Sequence, residues 1–362
     1  MRPPSAGTLS DPPDGDVEFM SSQETNIKTP SGDGILARLF GAHQAVPWTF
    51  GFVIVLALPW MTINEYHIFL LDIIMINIVL AVGLNIVKGF AGQVTVGHVA
   101  LMAIGAYSSA VLAAKFGLPF WFALPIAVLI TGMVGAVVGM PSFRLEGPYL
   151  ALATLGFAES VRIIISATAY LGAAEGFSNI PPPELFGFEF SEHISYYYIV
   201  TPIAMAGIYF SFSILSSDVG RCFRALREDP LAAAASGVNV RKYKLLAFVF
   251  SALYAGAAGS LMAHLSPGFL HPFSYTITEM VTLLLMIVLG GIGHIWGGVI
   301  GAVMVTIIYD LTREWYQYQL ITFGMIIVLT VLYMPRGIGG LLDDYFTKKR
   351  FLAVRKAKSD AA

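Results

Sequence analysis

Charge and cysteine are what this 362-residue chain has least of. Only 12% of its residues are charged and 56% are apolar, with a mean hydropathy of +0.73. Soluble domains carry about twice that share of charge, and so thin a polar coat does not keep a fold dissolved. The composition excludes an ordinary soluble protein and points to a bilayer as solvent. The single cysteine, Cys222, excludes an internal disulfide framework and a cysteine-based zinc site. No Gly-Lys-Ser/Thr triplet occurs, so the chain has no phosphate loop with which to burn ATP. The HExxH, GxSxG and calcium-loop patterns are also missing, and the histidines lack metal-ligand spacing. No enzyme activity, cofactor, metal or nucleic-acid partner is expected.

What is present is a series of apolar blocks separated by Gly, Pro or charge. They predict ten spans, at 48–63, 67–87, 97–114, 119–140, 148–168, 197–215, 245–264, 275–290, 295–311 and 317–334. The eighth and ninth are short of the ~20 residues of a straight spanning helix, so they read as a tight hairpin or half-spans. Before them, residues 1–46 hold six acids and three bases among Pro, Ser, Gly and Asp, the composition of a mobile tail. The domain plan is a disordered tail at 1–46, a membrane domain at 47–340 and a basic tail at 341–362.

Charge placement orients the spans. Loop 169–196 carries Glu175, Glu184, Glu189 and Glu192 and no Lys or Arg, whereas loop 216–244 carries Arg221, Arg224, Arg227, Arg241, Lys242 and Lys244. Cytoplasmic loops retain Lys and Arg. Loop 216–244 and the basic tail are therefore expected inside and loop 169–196 outside, which places both termini in the cytoplasm. Lys115 and Arg313 fall on outer turns against the rule.

Within loop 216–244, Asp229 is placed to cap a helix, Pro230 to begin it and Gly237 to end it, with the small run Leu231–Ala235 between. A helix of about two turns is expected outside the bilayer. Its small face, Ala233 included, fits a groove on another protein, and the arginines before it can pair with acids there.

The order of residues Arg224-Ala-Leu-Arg-Glu-Asp-Pro230, Gly237-Val-Asn-Val240 and Lys244 to Leu261 closely resembles the coupling loop and following helix of branched-chain amino-acid ABC permeases. Two Gly-rich blocks resemble the same family: Gly83 to His98, continuing through Gly105-Ala-Tyr107, and Gly290-Gly-Ile-Gly-His-Ile-Trp-Gly-Gly298 onward to Ala302. The resemblance covers roughly residues 75 to 340. It implies an all-α, polytopic integral membrane protein of about ten transmembrane helices with a short cytoplasmic coupling helix. It implies a second homologous permease subunit, two ATP-binding cassette subunits and an extracytoplasmic solute-binding protein as partners. Arg224, Arg227, Glu228, Asp229, Pro230, Ala233 and Gly237 would form the contact with an ATP-binding subunit. His294 stands where many family members carry a small polar residue, and the long acidic N-terminal tail is a further departure from the pattern.

For the translocation path the candidates are Gly92, Gln93, Thr95, Gly97 and His98, because glycine-broken backbone at membrane depth belongs where it lines a cavity. The same segment also reads as a turn on the inner surface with Gln93 solvated. Glu159 joins the candidates as an ionisable residue inside a span, although Arg162 one turn on can satisfy it as a structural pair. Asp72 reads as solvated at an outer helix end, Asn77 and Asn85 as bonds between helices, and Glu279 as a cap. Tyr196, Tyr197 and Tyr198, with Trp48, Trp60 and Trp121, read as interfacial anchors. Gly135–Gly139 and Gly297–Gly301 are GxxxG pairs for close helix packing.

The function expected is solute import at a bacterial cytoplasmic membrane, for branched-chain or other hydrophobic amino acids. Urea and other small amides are the alternative within the family. An ion-coupled secondary transporter or channel is the alternative outside it, and an intramembrane enzyme a more distant one.

Overall fold

A computed structural model describes residues 55–340, apart from 62–63, 186, 266 and 335–336. The two tails, Trp48 and most of the first expected span lie outside the described residues. After a short 3-10 turn, Leu58–Met61, the helices run in order: α1 Glu65–Leu84, α2 His98–Ala114, α3 Phe120–Gly139, α4 Pro148–Ala167, α5 His193–Ser216, α6 Asp218–Glu228, α7 Pro230–Ala235, α8 Val240–His264, α9 Ile277–Gly290, α10 Ile295–Leu311 and α11 Gln319–Tyr333. The one sheet among the described residues is a two-residue hairpin, β1 Glu184–Leu185 with β2 Phe188–Glu189.

Six of these helical segments are long and apolar enough to cross a membrane, and three shorter apolar ones lie at His98–Ala114, Ile295–Leu311 and within α11. Each of the nine coincides with one of the expected spans after the first. The first of the six is α1 extended by a π-helical turn, Asn85–Phe90.

Helix α8 is the centre of the packing. It lies against α2 and α3, and then against α1. Small residues make this possible. A Cβ on Gly105 of α2 would come within 2.6 Å of the Gly256 backbone of α8, and one on Gly259 within 2.1 Å of the Met102 carbonyl. On α3, Gly135 and Gly139 face Ala252 and Phe248 of α8. Without water to drive helices together, such close backbone approach is the main source of association in lipid. The Gly297–Gly301 pair seats α10 on α9 in the same way, against the carbonyls of Gly290 and Met286.

Helix α4 is peripheral. Only Leu150, Thr154 and Ile165 are buried along it. Between α4 and α5 the chain makes two 3-10 turns and the hairpin, and Phe177 pairs with Leu270 across to the α8–α9 connection.

Polar side chains join helices at depth. Asn77 of α1 donates to Thr306 Oγ1 of α10 over 3.0 Å, and Ser211 and Tyr254 share a hydrogen bond of 2.6 Å between α5 and α8. Asp72 is not solvated as its place near a helix end implies. It is fully buried, because α5 covers that face of α1 and brings His193 Nδ1 to 3.5 Å. Tyr196 and Tyr197 are likewise no surface anchors. Both are buried under the same contact, with hydroxyls donated to the carbonyls of Leu261 and Val55, while Tyr198 remains exposed and accepts from Trp60 Nε1.

Candidate functional site: a three-way junction beneath two cavities

The arginine-rich loop folds as a helix pair. Asp218–Glu228 forms an amphipathic helix whose apolar residues Phe223 and Leu226 are buried. The chain then turns sharply at Asp229, in extended conformation, and the Asp229 carboxylate accepts from Leu231 N at 2.8 Å and Ala232 N at 3.2 Å. Pro230 takes the first helical position, where no N–H is required. At the other end Val238 N donates to Ala233 O and Gly237 N to Ala234 O, each at 3.0 Å, with Gly237 at φ +85°. That bond pair is a Schellman cap, which needs a left-handed residue at the glycine position.

Most of this short helix is exposed, and Leu231 stands out at 82% exposure. Ala233 does not belong to that free face. It is buried against its own chain, because it lies on the side of α7 that seats on the bundle. Glu228 and Asp229 are exposed.

Both glycine-rich segments meet this helix pair. Arg227 Nη1 donates to the Gly89 carbonyl over 2.6 Å. A Cβ on Gly92 (φ +69°) would lie 3.1 Å from the Arg227 Cα, and one on Gly293 would lie 2.2 Å from the guanidinium. Asn85 locks the two glycine segments to each other. Its amide donates to the His294 carbonyl at 2.7 Å and accepts from Gly293 N at 2.9 Å. The three sequence blocks therefore converge at one place. Arg224 is a little to the side, where it donates to the Leu215 carbonyl and helps line a cavity of about 710 Å³ with Phe212, His294 and Trp296.

The segment 91–97 is irregular, and its polar side chains Gln93 and Thr95 are buried rather than solvated, while Gly92 is exposed. Gln93 is tucked inward with Nε2 donating to the Ala91 carbonyl, and Thr95 Oγ1 accepts from Gly97 N. Gly97 abuts the Thr154 carbonyl of α4. His98 starts α2 fully buried, with Nε2 3.2 Å from the Leu80 carbonyl and Nδ1 3.0 Å from Ser251 Oγ. Gln93, Thr95, Gly97 and His98 thus sit together in one buried layer, with Gly92 beside it at Arg227. Glu159 is not among them. It pairs with Arg162 on the exposed side of the peripheral α4, because the i,i+3 spacing puts both on that face.

A second cavity, of about 430 Å³, lies at the opposite end of the bundle between α1, α2, α9 and α10. It runs along α1 from Tyr66 to Leu80, about 21 Å at 1.5 Å per residue. Its floor includes Leu80, Val99 and Met286, directly above the His98 layer. Glu279 lines it, so this residue is a cavity wall rather than a cap; Thr276 holds the cap position. The sequence drew attention to none of this cavity as a path, since its walls come from helices far apart in the chain.

The family described as branched-chain amino acid transport system / permease component matches residues 66–334. The chain belongs to this family. Among similar proteins, the permease is 35% identical over 311 residues to the high-affinity branched-chain amino acid transport system permease protein LivM of Escherichia coli (strain K12), which covers 79% of this chain and 73% of that protein. It is 34% identical over 310 residues to LivM of Salmonella typhimurium, with 79% and 72% covered. It is also 28% identical over 285 residues to LivH of Escherichia coli (strain K12), with 72% and 90% covered. No solved structure matches the permease. The match takes in the junction, the whole lining of the 430 Å³ cavity and that of the 710 Å³ cavity apart from Gly339, and it makes the chain a multi-pass membrane protein.

Proposed function

We propose that this permease is one half of the membrane channel of an ATP-driven importer of branched-chain amino acids. The observation that carries the reading is the likeness to LivM over 79% of the chain. The names of the relatives favour amino acids over small amides such as urea.

The chain works with a second permease subunit, and its likeness to LivH as well as LivM supports a homologous pair. The peripheral α4 is the face for that subunit. It exposes Leu152, Ile163 and Ile164 together with the Glu159–Arg162 ion pair, and a charged pair facing lipid is costly where a protein neighbour is not. Two ATP-binding subunits dock on the cytoplasmic side, each gripping the short coupling helix of one permease. An extracytoplasmic binding protein delivers the solute. Ten spans, with both termini in the cytoplasm, place α6 and α7 inside and the 430 Å³ cavity outside in the cytoplasmic (inner) membrane of a bacterium. The tails 1–46 and 341–362 flank this membrane domain.

The mechanism follows from the junction. Motor closure moves α7, and α7 is covalently continuous with Arg227, which is bonded to Gly89. Force on the loop reaches the Gly-rich layer below the outer cavity without passing through a flexible linker. Two packings of the helices around that layer are then exchanged, one open to each side. An ion-coupled carrier has no need of such a loop.

The test is reconstitution of the complete complex in vesicles. Leucine uptake that requires ATP, the binding protein and both permeases is the expected result. Uptake by this chain alone, without ATP, ends the proposal.

A further inference from the structure

The cavity between α1, α2, α9 and α10 has the chemistry of a small zwitterion with an aliphatic tail. Its deep wall is mainly apolar, built from Ile76, Leu80 and Met286, and the polar side chains among them, Asn77, Thr306 and Thr282, already make hydrogen bonds within the protein. Its mouth is polar: the Tyr66 hydroxyl donates to Asp310, and Arg313 Nη1 lies 3.5 Å from the same hydroxyl. Asp310 is therefore already engaged. Glu279, between mouth and floor, is half-buried and has no hydrogen bond or ion-pair partner among the described residues. An unmatched carboxylate inside a span marks a functional site by default, because its burial is costly without a counter-charge. The volume of about 430 Å³ lies in the range of small-ligand pockets.

We propose that this cavity is an amino-acid site within the permease itself, with Glu279 as the counter-ion of the solute's ammonium group. The aliphatic side chain lies toward Ile76, Leu80 and Met286, and the carboxylate faces the mouth, where Arg313 attracts it. The site accepts leucine, isoleucine and valine. It rejects lysine and glutamate, whose charged tails would meet the apolar floor with no partner. The solute rests here after the binding protein releases it and before the His98 layer opens. This inference rests on the import function proposed above and assigns the place where the solute pauses.

Two measurements on the complete complex test it. First, an Ile73→Cys variant on the cavity wall, in a Cys222→Ser background, is labelled from the binding-protein side with a membrane-impermeant thiol reagent. Leucine slows the labelling and lysine does not; an equal rate with and without leucine overturns the proposal. Second, Glu279→Gln lowers leucine uptake by about tenfold or more, the loss of one charge-assisted contact, while Glu279→Asp recovers most of it and Glu279→Gln still co-purifies with its partners. Uptake by Glu279→Gln equal to that of the unmodified complex also overturns it. Absence of ATP-driven leucine uptake in the unmodified complex is a separate result that strikes the import function, whereas the labelling experiment needs no ATP.

Discussion

Arg227 and Gly89 are 138 residues apart in sequence, yet the Arg227 guanidinium donates to the Gly89 carbonyl over 2.6 Å. The bond joins the end of α6, just before α7, to the turn that follows α1. It ties the loop to the turn that leads into the buried Gln93–His98 layer. Neighbouring glycines are required for it, since a side chain at Gly293 would occupy the guanidinium's position.

Loss of this bond should separate ATP hydrolysis from transport. Arg227→Ala leaves α7 capped and exposed, so the helix proposed to receive the ATP-binding subunits is kept. It removes the link proposed to carry their movement onward. The expected outcome is a complex that assembles and hydrolyses ATP but moves leucine at about a tenth of the normal rate or less, as for one lost charged hydrogen bond. Uptake and hydrolysis measured on the same vesicles give the ratio. An unchanged ratio refutes the route.

Gly237 provides a test of the coupling helix that depends on conformation rather than size. Nothing lies within 4 Å of a Cβ placed there, but its φ of +85° is a left-handed value. An L-residue in that region costs about 1–2 kcal/mol, and Asn costs less because it tolerates this conformation. Uptake should therefore fall in the order Gly, Asn, Ala, with Gly237→Val abolishing it while membrane insertion stays intact. Uptake that follows side-chain volume instead contradicts the Schellman-cap account, and full uptake in Gly237→Val removes the coupling role.

This short helix was legible because its signals are local: an Asp-Pro start, a small run and a glycine stop need no tertiary context. The helices at the nine expected spans after the first were legible for the same reason, as runs of apolar residues. What escaped was anything set by which helices become neighbours. Asp72 and Tyr198 both lie near helix ends, yet α5 buries one and leaves the other open. Ala233 and Leu231 are two positions apart on one turn, and only the docked helix tells which faces inward. From the sequence, Glu159 is a path candidate inside a span and Glu279 a helix cap. One points away from the bundle on a peripheral helix with an arginine one turn on, and the other lines a cavity whose walls come from four helices.

Close packing on α8 makes a stability prediction. Gly105→Val drives a side chain into the Gly256 backbone, which cannot rotate away. Overpacking of this kind costs about 1–3 kcal/mol, so the purified variant should unfold several degrees earlier in detergent. Gly324→Val on α11 is the control, since nothing lies within 4 Å of that position. Equal melting of the two variants would show that the α2–α8 crossing is looser than the structure has it.

The buried end of α1 makes the last one. The Asp72 carboxyl group is fully buried, with His193 Nδ1 3.5 Å away, an ion pair only when that imidazole is protonated. Breaking a buried pair by removing one partner is far worse than removing both, because the survivor keeps its desolvation cost with nothing to offset it. His193→Ala should destabilise the permease, read as a fall in melting temperature in detergent. Asp72→Asn leaves a neutral amide in the same space and should cost much less. The double variant, Asp72→Asn with His193→Ala, should then melt above His193→Ala alone, a non-additivity that a double-mutant cycle isolates for neighbours in contact. If the two substitutions simply add, the carboxylate and the imidazole do not hold each other, and α1 and α5 are joined at that end by packing alone.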